Sequence, residues 1–130
     1  MILRLVLGDQ LNEKHSWFQK VDSNVLYLFQ EVRSETDYVV HHIQKVVGFF
    51  LSMRSFAQKL QEQGHQVFYL TLDDPKNLQD LSAQVHQLVK SGEFTRFEYL
   101  LPDEYRLDQQ LKACCETLCI PCEAVDTEHF

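Results

Sequence analysis

The stretch "ILRLVLGDQLN", residues 2–12, is the segment on which the prediction of the fold depends. Its first part, Ile2 to Leu7, is apolar enough to predict a strand buried on both faces. That strand ends directly in Gly8, Asp9 and Gln10. A glycine followed by an acid and an amide is an unusual way to leave a buried strand, because phosphate-binding turns at this position are rich in glycine. The stretch therefore predicts a strand end that meets something other than a phosphate.

Four further apolar runs follow at intervals that leave room for helices between them. They are Asn24–Val32, Gln66–Leu72, Arg96–Leu101 and a weaker run at about Ile120–Val125. Runs this apolar are typical of parallel sheets, in which both faces of each strand are covered. The sequence therefore predicts a mainly parallel sheet of about five strands.

Three helical patterns separate the later strands. The longest spans about Glu35–Gln63, carries two neighbouring apolar stripes that predict burial over more than one face, and stops at Gly64. The others span about Asn77–Lys90 and about Pro102 or Asp103 to Leu118. Between the first two strands, the residues around Trp17 and Phe18 allow a short helix or an irregular crossover. This order predicts an α/β fold, a three-layer Rossmann-like sandwich.

The bulk properties narrow the class of protein. A length of 130 residues suggests one domain, 1–130, and 45% apolar residues argue against disorder. A net charge of −7 makes the domain alone a poor binder of nucleic acid. No apolar run is long enough to cross a bilayer, and no N-terminal stretch resembles a secretion signal, so we expect no membrane partner and a cytoplasmic location.

Polar residues follow the predicted strand ends, which is where open α/β sheets bind ligands. The turn and cap chemistry of aspartate explains Asp73, Asp74 and Asp103 adequately. Asp9 and Gln10 are different, because Asp9 would repel a pyrophosphate and the chain has only four glycines and no phosphate-binding glycine motif. Carboxylate and amide groups suit the hydroxyls of a neutral ligand. We therefore expect a hydroxyl-rich, uncharged ligand at this turn.

The histidine and cysteine residues are weaker candidates for a functional site. His42 falls on an aromatic stripe of the long helix, where a packed histidine and a ligand contact are both open. The four cysteines lie within "CCETLCIPC", residues 114–122. The C-x-x-C at its end lies between a helix and a strand rather than at the start of a helix, so buried, inert thiols are the favoured interpretation, with a zinc or redox role left open. We expect no metal ligands and no catalytic residue in the chain.

Three segments resemble the photolyase-related flavoproteins known as iron–sulfur bacterial cryptochromes and (6-4) photolyases. They are "LRLVLGDQLN", "EVRSETDYVVHHIQKVVGFFLSMRSFAQKL" and "LPDEYRL", and the resemblance covers roughly residues 1–112. It implies an α/β antenna-type domain at the N-terminal part of a longer photolyase-like protein that repairs DNA or senses light. The parent would be a DNA photolyase, a lyase, whereas this chain would not be catalytic alone.

The resemblance also implies cofactors, site residues and partners. The antenna chromophore would be 6,7-dimethyl-8-ribityllumazine, whereas FAD and a 4Fe–4S cluster would lie in a helical C-terminal domain outside this chain. That domain would be the main partner and would supply all contact with DNA. The residues implied to bind the chromophore are Gly8, Asp9, Gln10, Leu11 and Glu31, followed by Tyr38, His42 and Lys45. Two alternatives stay open, a generic nucleotide-binding Rossmann-like domain and a stand-alone interaction module that forms a homodimer.

Overall fold

The chain forms one five-stranded parallel sheet. The computed structural model describes residues 1–7, 11, 14–31, 43–91, 94–102 and 105–125, with side chains described for all of these except 43–49 and 105. The strands are β1 (Ile2–Leu5), β2 (Val25–Gln30), β3 (Gln66–Leu70), β4 (Arg96–Leu100) and β5 (Cys122–Val125). Every pairing is parallel, and the strand order is β3-β2-β1-β4-β5. This confirms the predicted parallel α/β sheet.

Helices connect the strands on both faces of the sheet. They are α1 (Ile43–Glu62), α2 (Leu81–Lys90) and α3 (Tyr105–Thr117), and a short 3₁₀ turn (Ser16–Phe18) lies between β1 and β2. The 3₁₀ turn confirms the short crossover predicted around Trp17. The first residues of the long predicted helix, 35–42, lie outside the described part of the chain.

The strand order explains the two hydrophobic layers. Right-handed crossovers from β1 to β2 to β3 put the 3₁₀ turn and α1 on one face, and the return to β4 and β5 puts α2 and α3 on the other. On the first face Phe18, Phe56 and Leu60 pack over Tyr27 and Phe29 of β2. On the second face Leu81, Val85, Val89, Leu111 and Cys114 pack over alternate residues of the strands, which include Leu3, Leu5, Leu28, Leu70 and Phe97.

The described side chains of α1 bury one broad face. Met53, Phe56, Ala57 and Leu60 are buried, whereas Leu51 is 56% exposed. The two predicted stripes therefore merge into a single face over these residues, and the expectation of burial on more than one face is wrong for this part of the helix. No helix in the described residues is long and apolar enough to cross a membrane.

Local sequence determines where α1 ends and where α2 begins. Gly64 adopts a φ of +103°, and the N–H of His65 donates to the carbonyl of Leu60 at 3.0 Å, which ends α1 as predicted. The second helix begins at Leu81, four residues after the predicted start at Asn77. Asp80 is its N-cap and accepts a hydrogen bond from the N–H of Ala83. The late start is a correction, and it leaves Asn77 free for tertiary contacts.

Candidate functional site

The carboxyl edge of the sheet is the place where this fold brings chain segments together. The strand order reverses between β1 and β4, and ligands of open α/β sheets bind outside the carboxyl ends of the strands at such a point. Leu7 precedes the Gly8–Gln10 turn directly, and Leu101 and Pro102 follow β4. Leu7, the residue before Gly8, Asp9 and Gln10 in the sequence, therefore follows β1 at the switch point of the sheet.

Glu31, which follows β2, is the most heavily bonded side chain at this edge. Its carboxylate is fully buried and accepts four hydrogen bonds. Arg54 Nε and Nη2 donate at 2.7 and 2.8 Å, the Tyr69 hydroxyl at 2.5 Å and the backbone N–H of Leu72 at 2.8 Å. The side chain therefore joins β2, β3 and α1 at one point.

The electrostatics of Glu31 follow from these bonds. Burial alone would raise the pKa of the Glu31 carboxyl, but the hydrogen bonds from Arg54, Tyr69 and Leu72 outweigh it, so that its pKa lies below the usual value. Burial and the hydrogen bond to this carboxylate raise the pKa of Tyr69. The carboxylate is held ionised, and all of its strong acceptor positions are occupied within the chain.

The occupied oxygens of Glu31 argue against a dinucleotide site of the Rossmann type. Rossmann-type dinucleotide sites use an acidic residue some 20 residues after the glycine loop to bind the ribose hydroxyls. Glu31 follows β2 at that place in the fold, but its oxygens are committed to Arg54, Tyr69 and Leu72. Its assignment as a chromophore contact stays a prediction, and in this structure its hydrogen bonds position the strand ends.

A second group of polar side chains lies beside Glu31 on the α2 face of the sheet. Asn77 Nδ2 donates to the carbonyls of Glu31 and Thr71 at 2.8 and 2.9 Å, which ties the ends of β2 and β3 together. Gln30, the last residue of β2, donates to Asn77 and to Gln84 of α2. We call Gln30, Asn77 and Gln84 the amide cluster. The sequence analysis missed it, although a glutamine at the end of an apolar strand run was a visible signal.

Of the other residues implied by the resemblance, the structure describes the side chain of Leu11 alone. Gly8, Asp9, Gln10, Tyr38 and His42 lie outside the described residues, and Lys45 lies in α1 at a position whose side chain is not described. Leu11 packs against the hydrophobic layer on the α1 side. It also lines an open groove of about 430 Å³ against α1, whose other lining residues are Leu51, Ser52, Ser55, Phe56 and Lys59.

Two aspartates at the same edge behave as the turn chemistry predicts. Asp74 accepts a hydrogen bond from the N–H of Lys76 at 2.8 Å, as in an Asx-turn. Asp73 accepts one from the Thr71 hydroxyl at 3.0 Å. Asp103 lies outside the described residues. Both described aspartates lie in the loop after β3, where Asp73 is exposed and Asp74 is partly exposed.

A charged network on the α1 face of the sheet was also missed. Arg4 of β1 donates from Nε to Glu98 of β4 at 2.8 Å and from Nη1 to the Tyr27 hydroxyl at 3.1 Å. Its guanidinium also lies 4.7 Å from the centre of the Trp17 ring. Glu98 in turn pairs with Arg96 at 3.0 Å. An arginine within an otherwise apolar strand was the available signal.

The cysteines are all free thiols, and only Cys114 is fully buried. Burial, followed by the hydrogen bond to Cys122, raises the pKa of Cys115 to about 12, which leaves it a weak nucleophile. Cys119 is exposed, which corrects the expectation of burial for that thiol. Within the described residues, no three His, Cys, Asp or Glu side chains are grouped so that they could hold a metal ion.

Comparison with known proteins relates the chain to photolyases. The chain is 31% identical over 110 residues to a protein described as a (6-4) photolyase from Agrobacterium fabrum. The match covers 84% of the chain and 22% of that relative, so the chain spans about a fifth of the relative's length. The model of one family, described as deoxyribodipyrimidine photo-lyase-related protein, matches residues 4–130. The chain therefore belongs to the deoxyribodipyrimidine photolyase-related family.

Proposed function

We propose that this chain is the antenna-chromophore domain of a photolyase- or cryptochrome-like flavoprotein and that it binds 6,7-dimethyl-8-ribityllumazine. The observation that carries the proposal is the position of β1, whose carboxyl end lies where the strand order reverses and leads in the sequence to Gly8, Asp9 and Gln10. Ligands of open α/β sheets bind at this point. Membership of the photolyase-related family supports the chromophore as the ligand.

The polar groups at this edge suit the ligand's chemistry. Among the side chains described there, Glu31 and Asn77 use their polar atoms within the chain, Gln30 carries an amide, and the guanidinium of Arg54 is committed to Glu31. A phosphate requires positive charge or a run of free backbone N–H groups. A ribityl chain is neutral and rich in hydroxyls, which such acceptors bind. The amide of Gln30 and the committed guanidinium of Arg54 therefore favour the lumazine over a nucleotide.

The bound lumazine would supply light absorption, and the excitation would pass to a flavin. The chain's part would be to bind and orient the chromophore, with Asp9 accepting from ribityl hydroxyls and Gln10 contacting a polar edge of the ring. FAD, a 4Fe–4S cluster and the contact with DNA would belong to a helical domain that packs against this one. Whether a parent protein repairs DNA or senses light is decided in that domain.

A titration of the purified 130-residue chain tests the proposal. We expect the lumazine to bind with a change in its absorption and fluorescence, and Asp9→Ala and Gln10→Ala to weaken binding about tenfold, the loss of one or two hydrogen bonds. Asp73→Ala is the matched control, since it removes an exposed carboxylate from the same edge of the sheet. Absence of lumazine binding, or equal affinity in all three variants, would contradict the proposal.

The same preparation separates the alternatives. Calorimetric titration with NAD and ADP measures nucleotide binding, which the saturated Glu31 argues against. Light scattering measures the oligomeric state, and a homodimer that binds no lumazine would favour an interaction module.

A further inference from the structure

Gln30 has one buried polar atom that the fold leaves without a partner. Gln30 is 2% exposed, and no donor among the described residues reaches its Oε1. An unpaired acceptor in the interior is costly, and native proteins retain few of them. This one lies at the end of β2, so that it belongs to the carboxyl edge of the sheet.

The hydrogen bonds of the amide cluster fix which way this amide faces. Asn77 Oδ1 accepts from the N–H of Gln79 at 2.9 Å, and Gln84 Oε1 accepts from the N–H of Leu78 at 2.9 Å. Backbone N–H groups only donate, so both of these side-chain atoms must be oxygens. Gln30 faces both oxygens, at 2.7 and 3.2 Å, and must present its NH₂ group to them.

The opposite orientation of Asn77 is excluded as well. Its Nδ2 faces the carbonyl oxygens of Glu31 and Thr71, which only accept. Both hydrogens of the Gln30 amide are thus used inside the cluster, and its carbonyl points away from Asn77 and Gln84. The free acceptor is a consequence of the network and does not depend on an arbitrary choice of amide orientation.

The sheet register puts this acceptor beside the strand that leads to the predicted pocket. Leu5 pairs with Leu28, and the N–H of Val6 donates to the carbonyl of Leu28 at 3.0 Å. Continued by two residues, the same register sets Leu7 beside Gln30. The Gly8–Gln10 turn follows Leu7 directly in the sequence. Glu31 at the neighbouring position has no free oxygen, so Gln30 supplies the available acceptor of this strand end.

We propose that Gln30 is a ligand-contact residue, whose side-chain carbonyl accepts a hydrogen bond from a hydroxyl or ring N–H of the bound molecule. The inference rests on the proposed function and extends it, because it assigns a contact that lies on β2 and outside the Gly8–Leu11 turn. The amide cluster would hold the acceptor in place before the ligand arrives, which lowers the entropy lost on binding.

Matched glutamine-to-methionine variants test this assignment. Gln30→Met and Gln58→Met make the same chemical change, but Gln58 is exposed on α1 and outside the amide cluster, whereas Gln30 carries the free acceptor. In titrations of the 130-residue chain with the lumazine, we expect Gln30→Met to weaken binding about three- to tenfold, the loss of one neutral hydrogen bond. Gln58→Met should bind within about twofold of the wild type once the folded fraction is taken from thermal unfolding.

The outcomes separate this inference from the proposed function. Equal affinity in the wild type and a folded Gln30→Met overturns the role of Gln30 and leaves lumazine binding intact. Riboflavin, which carries the same ribityl chain, is titrated in parallel. Loss of riboflavin binding in Gln30→Met, with no lumazine binding by the wild type, would support Gln30 and refute the chromophore. If the wild type binds neither compound, both proposals fail.

A second measurement covers the case in which Gln30→Met does not fold. The wild type is then titrated with a lumazine methylated at its ring N–H and with one whose ribityl chain is replaced by ethyl. Weaker binding of the N-methyl analogue by the wild type, or a loss on replacing ribityl by ethyl that persists in Asp9→Ala, identifies a ligand donor that Asp9 does not receive and supports Gln30 as its acceptor. Unchanged affinity for both would show that no ligand donor is used, and would overturn the inference.

Discussion

The replacement Glu31→Gln should destabilise the fold, because it removes one of the two buried carboxylate oxygens that accept hydrogen bonds. Glutamine has one oxygen where glutamate has two, so two of the four donors to Glu31 lose their acceptor. The cost is reduced because the Arg54 side chain is 48% exposed and can turn to water. We expect a loss of about 2 to 3 kcal/mol, below the roughly 3 to 5 kcal/mol of a fully buried pair.

The pH dependence of the same variant checks the electrostatic part of this reasoning. The pKa of Glu31 is lowered on folding, so its contribution to stability is complete above the ordinary value of 4.5 and is lost as the pH falls below it. Between about pH 5 and pH 3 the wild type should therefore lose more stability than Glu31→Gln.

Urea unfolding followed by the fluorescence of Trp17, the single tryptophan, measures both effects. Trp17 is 8% exposed in the folded chain, so its emission reports on loss of the core. Glu62→Gln is the control, because Glu62 is exposed at the end of α1 and its replacement should change stability by less than about 0.5 kcal/mol. A Glu31→Gln protein as stable as this control, or with the pH dependence of the wild type, would refute the reasoning.

Three further predictions concern the helix ends and the thiols. Asp80→Ala removes the N-cap of α2 and should cost about 1 kcal/mol in urea unfolding, whereas an unchanged midpoint would deny the cap a role. Gly64→Ala should cost about 1 to 2 kcal/mol through its φ of +103° alone, since an added Cβ would meet only Val21 at 3.7 Å; a stabilised variant would contradict this. Ellman's reagent should modify Cys119 first and Cys114 only on unfolding, and rapid reaction of a folded protein whose other three cysteines are replaced by serine would argue against the burial of Cys114.

The local sequence determined the fold class and the end of the long helix α1. Apolar runs of six to nine residues predict strands wherever they fall in the chain, and helical spacing between them predicts parallel connections. Gly64 ends α1 because a left-handed backbone needs no tertiary partner to favour glycine. These features depend on neighbours within a few positions, which a sequence displays directly.

Tertiary structure decided which polar side chains meet. Glu31 bonds to Arg54, Tyr69 and Leu72, which lie 23, 38 and 41 positions away. Only the pairing of β2 with β3 and the packing of α1 bring those groups to one carboxylate. The late start of α2 has the same origin, because Asn77 bonds to the ends of both strands instead of entering the helix.

The amide cluster also depends on tertiary structure, because its members are far apart in the sequence. The sequence contains Gln30, Asn77 and Gln84 as three unremarkable polar residues, separated by 47 and 54 positions from Gln30. Their mutual distances decide that the Gln30 amide uses its hydrogens internally and leaves its carbonyl free. Hydrogen bonding depends on direction and on separations near 3 Å, which no composition or periodicity encodes. The sequence therefore fixes the sheet and the edge at which a ligand would bind, and the folded chain decides which acceptors remain available there.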